Sequence, residues 1–111
     1  MNQHYEVLWA EIAEQDLRRI LDYIAVDHLS TALKLLKQIK EKTNNLYLHP
    51  ERGRIVPELQ DQGIFQYREL VVSRWRIIYR VSEKDVYILA VIDSRLNVED
   101  ILLERFVKSV H

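Results

Sequence analysis

The stretch YRELVVSRWRIIYRV, Tyr67 to Val81, decides the fold: Ser73-Arg74 interrupts two runs of Val, Ile, Tyr and Trp, as a short turn interrupts two paired strands. A third run, VYILAVI from Val86 to Ile92, follows after the break SEKD and is apolar on both parities, which predicts a central strand covered on both faces. Phe65 to Val72, Trp75 to Val81 and Val86 to Ile92 therefore read as an antiparallel meander. Upstream, HPERGRIVPE, His49 to Glu58, holds both prolines and one of the two glycines, so it reads as a loop with turns.

Two amphipathic helices precede that loop. Ile12, Leu17, Ile20, Leu21 and Ile24 mark the first, ending near His28; Ala32, Leu35, Leu36 and Ile39 mark the second, with Ser30 as its N-cap. HYEVLW, His4 to Trp9, reads as an opening strand, and Asn97 caps a closing helix whose apolar face is Val98, Ile101, Leu102 and Phe106. The predicted class is α+β, in the order β-α-α-β-β-β-α, with the helical hairpin packed on a small, mainly antiparallel sheet. The chain, residues 1–111, is expected to be a single domain.

Composition excludes several function classes. With no cysteine there is neither a disulfide framework nor a thiolate site, and the expected compartment is reducing and cytoplasmic. The segment MNQHYEVLW lacks the charge and apolar run of a secretory signal, and no run approaches the roughly 20 apolar residues of a membrane helix. His4, His28, His49 and His111 have no metal-ligand spacing, and no phosphate-cradling glycine motif is present, so no metal or cofactor is expected.

The net charge of -1 hides an uneven distribution, because residues 51 to 84 carry seven Lys/Arg against five Asp/Glu. Arg68, Arg74, Arg76 and Arg80 crowd the strand pair, and Arg95 follows the last strand. Strand alternation puts Arg76, Ile78 and Arg80 on one face and Trp75, Ile77, Tyr79 and Val81 on the other, the expected core face. If Arg68 lies opposite Arg76 or Arg80, with Glu69 on the other parity, the guanidiniums repel one another unless an anion neutralises them. The five arginines thus read either as a solvated sheet face or as an anion- or target-binding surface.

AEQDLRRILDYI in the first helix, HPERGRIVPEL in the loop, YREL followed by RWRIIYRV, and VYILAVIDSR together resemble the RelE/ParE superfamily of bacterial toxins, from Tyr5 to about Leu103. The resemblance implies a toxin of a type II toxin–antitoxin pair, with a cognate antitoxin protein as partner and operator DNA reached only through their complex. RelE-like members cleave mRNA on the ribosome, and ParE-like members block DNA gyrase. In the first case Arg68, Arg76 and Arg95 fall on catalytic positions. The second basic position of the RelE strand falls on Leu70, however, and its late tyrosine near Ile101, neither of which transfers a proton. Glu58 or Glu69 as base and Tyr67 or Tyr79 as acid are weaker candidates, better explained as loop order, a salt bridge and core. The chain therefore looks closer to ParE, with gyrase inhibition ranked above RNA cleavage and an inactive antitoxin-binding relative third. The helical hairpin and the sheet edge are the expected antitoxin surfaces.

Overall fold

A computed structural model of the chain describes residues 4–107. His111 lies outside them. Five strands form one sheet in the order β1-β5-β4-β3-β2: β1 (Glu6–Trp9), β2 (Arg54–Ile55), β3 (Tyr67–Val72), β4 (Trp75–Ser82) and β5 (Asp85–Asp93). Only β1 and β5 pair in parallel. The helices are α1 (Glu11–Ala25), α2 (Leu29–Asn44), a single turn α3 (Pro57–Gln60) and α4 (Val98–Phe106).

The meander, the helical hairpin and the Asn97 cap are where the sequence places them; the Asn97 side chain accepts from the Asp100 amide. Other elements differ. The loop from His49 contains β2, which pairs with β3 at Glu69 and Arg68, and α3, which starts at Pro57 because a missing N–H costs nothing in a first turn. Ser30 is not the cap of α2: the His28 carbonyl already accepts from Ala32, so Ser30 lies inside the first turn. Ile12 is exposed and Ala13 takes its place against the sheet, while β3 begins at Tyr67, leaving Phe65 outside the strand and exposed.

Both faces of the sheet are covered. The hairpin α1–α2 buries Leu17, Leu35 and Ile39 against Leu70, Trp75, Ile77, Tyr79 and Ile88. On the other face α3 and α4 bring Leu59, Val98 and Leu102 onto Tyr67, Ile78, Ala90 and Ile92. The face read as either solvated or target-binding is thus largely a second core.

In β5, Ile88 pairs with Tyr79 and Ala90 with Ile78, so Leu89 is an extra residue, a bulge that exchanges the inward parity. Val86 and Ile88 face the hairpin before it, as does Val91 after it. β1 stops opposite Ile88, and the buried carboxylate of Asp16 on α1 takes over the strand edge by accepting from the Val91 amide at 3.0 Å.

Both two-residue hairpin turns place a non-glycine residue in the left-handed region, Ser73 and Glu83, each at φ 56°. Ser73→Gly and Glu83→Gly should each raise stability by about 0.5 kcal/mol, removing a Cβ conflict of roughly 1 kcal/mol less the extra freedom of unfolded glycine. Urea melts of the two variants test this, and a loss of stability in both would show that the turns are unstrained.

Candidate functional site

The strand register separates the arginines. Arg68 pairs across the hairpin with Tyr79, Glu69 with Ile78, Val71 with Arg76 and Tyr67 with Arg80. Glu69 therefore shares a face with Arg76 and Arg80, and Arg68 points to the opposite one, which corrects the expected juxtaposition of like charges. Register is the reason: a shift of one residue sends every side chain to the other face.

Arg76 is buried beneath α3. Its Nη1 and Nη2 form a two-pronged pair with the Glu58 carboxylate, both at 2.6 Å, and its Nε donates to Glu69 Oε1 at 2.6 Å. Glu69 accepts a second bond from Arg54 Nε at 2.6 Å. The hydrogen bond from Arg76 holds the Glu58 carboxyl below its usual range against the opposing effect of burial, and the same bond raises the Arg76 pKa. A carboxylate held this way is a poor general base.

On the hairpin face Arg68 Nη1 donates to the Gly53 carbonyl at 2.8 Å. The Tyr79 hydroxyl beside it donates to the Pro50 carbonyl at 2.7 Å and accepts from the Gly53 amide at 2.9 Å, and burial pushes its pKa up. Tyr67 is buried too, stacked on Phe106 with ring centroids 4.8 Å apart. The Tyr79 proton is thus engaged within the fold, and the Tyr67 ring is packed into the second core.

Arg74 and Arg95 meet at the far end of the sheet, on either side of Asp93. Arg95 grips that carboxylate through Nε at 3.2 Å and Nη2 at 3.0 Å, and these bonds hold the Asp93 carboxyl below its usual range. Arg74 Nε is 3.7 Å from Asp93 Oδ2, and its guanidinium lies 4.5 Å above the Trp75 ring. Trp75 is itself buried, so that ring offers no open stacking surface. Arg80 is exposed, with no hydrogen bond or ion pair among the described residues.

The end of the sheet also forms a cleft of about 430 Å³ between α1, the ends of β4 and β5, and α4. Ile20, Tyr23, Trp75, Leu96 and Ile101 give it an apolar floor, and Arg19, Arg74, Arg95 and Arg105 stand at its rim with Asp16 and Asp93. Arg105 of α4 clasps Asp16 through Nη1 and Nη2, both at 2.7 Å. Of these, sequence reasoning singled out only Arg74 and Arg95 as anion-binding. Asp16 could have been found from its spacing, three residues after Ala13 and four before Ile20, which sets a carboxylate in an apolar stripe.

Among the described residues no cluster of His, Asp or Glu could hold a metal ion, and no helix is long and apolar enough to cross a membrane. The sequence model of the ParE toxin of type II toxin–antitoxin systems (parDE) matches residues 7–97. No curated protein matches the sequence. The fold is similar to that of a chain from a chromosomal ParDE toxin–antitoxin system of P. aeruginosa, at 23% identity and a TM-score of 0.65 over 82% of this chain and 97% of that one. It is also similar to a chain of the RelBE2 toxin–antitoxin complex of Mycobacterium tuberculosis, at 19% identity and a TM-score of 0.53 over 81% of this chain and 91% of that one.

Proposed function

The chain belongs to the ParE family of toxins of type II toxin–antitoxin systems, and from that membership we propose that it inhibits DNA gyrase in the cytoplasm and is neutralised by a cognate antitoxin, through which alone it reaches operator DNA. The observation that carries the choice of target is the separation of Arg68 and Arg76 onto opposite faces of the sheet. Cleavage of an RNA backbone needs cations converging on one phosphate, with a base and an acid within hydrogen-bond reach. Here one arginine is buried under α3, another is tied to the Gly53 carbonyl, and Arg95 lies beyond the end of β5. The candidate bases and acids are likewise engaged or buried.

The exposed Arg80 and Arg95 and the half-buried Arg74 then serve as contacts to protein rather than as catalysts, and Arg68 and Arg76 hold the fold. The test is a supercoiling assay with purified gyrase and antitoxin-free protein, run beside an assay of mRNA cleavage on programmed ribosomes. Supercoiling should be blocked with the mRNA intact. Codon-phased cleavage, abolished in Arg68→Ala and in Arg95→Ala, would overturn the reading in favour of a ribosome-dependent nuclease. Loss of neither supercoiling nor mRNA would leave an inactive antitoxin-binding relative.

A further inference from the structure

The cleft at the end of the sheet has an unbalanced charge that asks for an anion. Two guanidiniums compete for the single carboxylate of Asp93. Arg95 takes it with two side-chain bonds, and the backbone amide of Arg95 adds a third at 2.9 Å. Arg74 is left at 3.7 Å, too far for a hydrogen bond, and its Nε is a buried donor with no hydrogen-bond partner among the described residues. A buried donor without a partner gives up its hydration with nothing in return. An incoming carboxylate that engages Arg95 would release Asp93 to close on Arg74 Nε and satisfy both cations.

The apolar part of the cleft calls for a second kind of group beside that carboxylate. Tyr23 is 77% exposed and Leu96 58% exposed, and both line the same cleft as the buried Trp75. Its volume of about 430 Å³ holds a few apolar side chains rather than a whole domain. Beside it Arg74 and Arg95 share the one carboxylate of Asp93, so this side of the rim favours negative charge.

We propose that this cleft seats an acidic, apolar-anchored segment of the neutralising antitoxin, whose apolar side chains pack on Ile20, Tyr23, Leu96 and Ile101 while a carboxylate engages Arg95 and so frees Asp93 for Arg74. The proposal rests on the toxin–antitoxin reading above and adds to it the site and the chemistry of the segment. Neutralisation then works by covering two of the three arginines assigned to target contact.

The test measures the affinity of the full-length chain for its purified antitoxin, the product of the adjoining gene, by calorimetry in low and moderate salt. Arg95→Glu, Arg74→Glu and Leu96→Asp should each weaken binding about tenfold or more, since each sets a like charge or an ion against the segment. Arg95 and Leu96 are exposed, so those two substitutions leave the core untouched. Lys84→Glu makes the same kind of charge change at the opposite end of β5 and should leave affinity within about twofold. Wild-type affinity should also fall as salt rises. Tight binding by all three cleft variants would overturn the proposal while leaving the antitoxin reading intact. Absence of any complex with the wild-type chain would overturn both, and self-association of the wild type lost in Leu96→Asp would assign the cleft to a second copy instead.

Discussion

Arg76→Ala should lower the unfolding free energy by about 3–5 kcal/mol, because it leaves a buried carboxylate without its main counter-ion. The Glu69 side chain is fully buried and Arg76 only 8% exposed, so solvent does little to screen the loss. Arg54, the other partner of Glu69, is 61% exposed, and Arg54→Ala should cost less than about 1 kcal/mol. For a domain of this size the Arg76 loss lowers the melting temperature by about 12–20 °C. Replacing Arg76→Leu and Glu69→Leu together should recover part of the stability, since a well-packed apolar pair can match a buried ion pair but Glu58 still loses its two-pronged partner.

The pH dependence has a defined sign. Glu58 has a depressed pKa in the folded chain, so its contribution is present above the ordinary carboxylate range of about 4 and is lost as pH falls through the depressed value. Arg76→Ala should remove that part of the acid sensitivity, as read from urea melts at several pH values. If instead the variant melts within 1 kcal/mol of the parent and loses only toxicity, Arg76 is not a fold-holding residue and its guanidinium serves an external anion.

How much of this was legible beforehand depended on the length of each element. The β3–β4 hairpin declares itself because Ser73-Arg74 breaks two strands of six and eight residues. β2 has only two residues and leaves no periodicity to read, so the position of β3 beside it was invisible. The register between β3 and β4 was equally hidden, and with it the role of Glu69: one residue of slip decides whether that carboxylate meets Arg76 or faces away. In β5 the apolar run on both parities has two causes, a sheet covered on both sides and a bulge at Leu89. The pattern shows the first and conceals the second. The cleft was legible only in its arginines, because its walls come from α1, β5 and α4, elements distant in sequence that only the folded chain brings together.

Gly53→Ala should destabilise the chain by about 3 kcal/mol, for want of space rather than for want of conformational freedom. A Cβ at this position would run into the Glu69 carbonyl oxygen and stand 2.7 Å from the Tyr79 hydroxyl. The carbonyl belongs to β3 at its pairing with Arg54, and the hydroxyl is pinned between Pro50 and Gly53, so neither can yield alone. Relief would push β2 off the sheet, with loss of the bond from Arg68 to the Gly53 carbonyl and strain on the Arg54–Glu69 pair. Tyr79→Phe takes away the hydroxyl alone and leaves the Glu69 carbonyl and the ring carbon Cε1, 2.8 Å from the added Cβ, in place. By itself it orphans the buried Gly53 amide and Pro50 carbonyl at a cost of about 1–3 kcal/mol, yet it removes the hydroxyl from the path of the added methyl. The double variant should therefore cost less than the sum of the single ones, as expected of groups that share one space. Strict additivity in thermal melts, or a neutral Gly53→Ala, would mean that the segment from Pro50 to Ile55 sits further from β3 and β4 than these contacts require, and the shielding of Arg68 by the Gly53 carbonyl would have to be reconsidered with it.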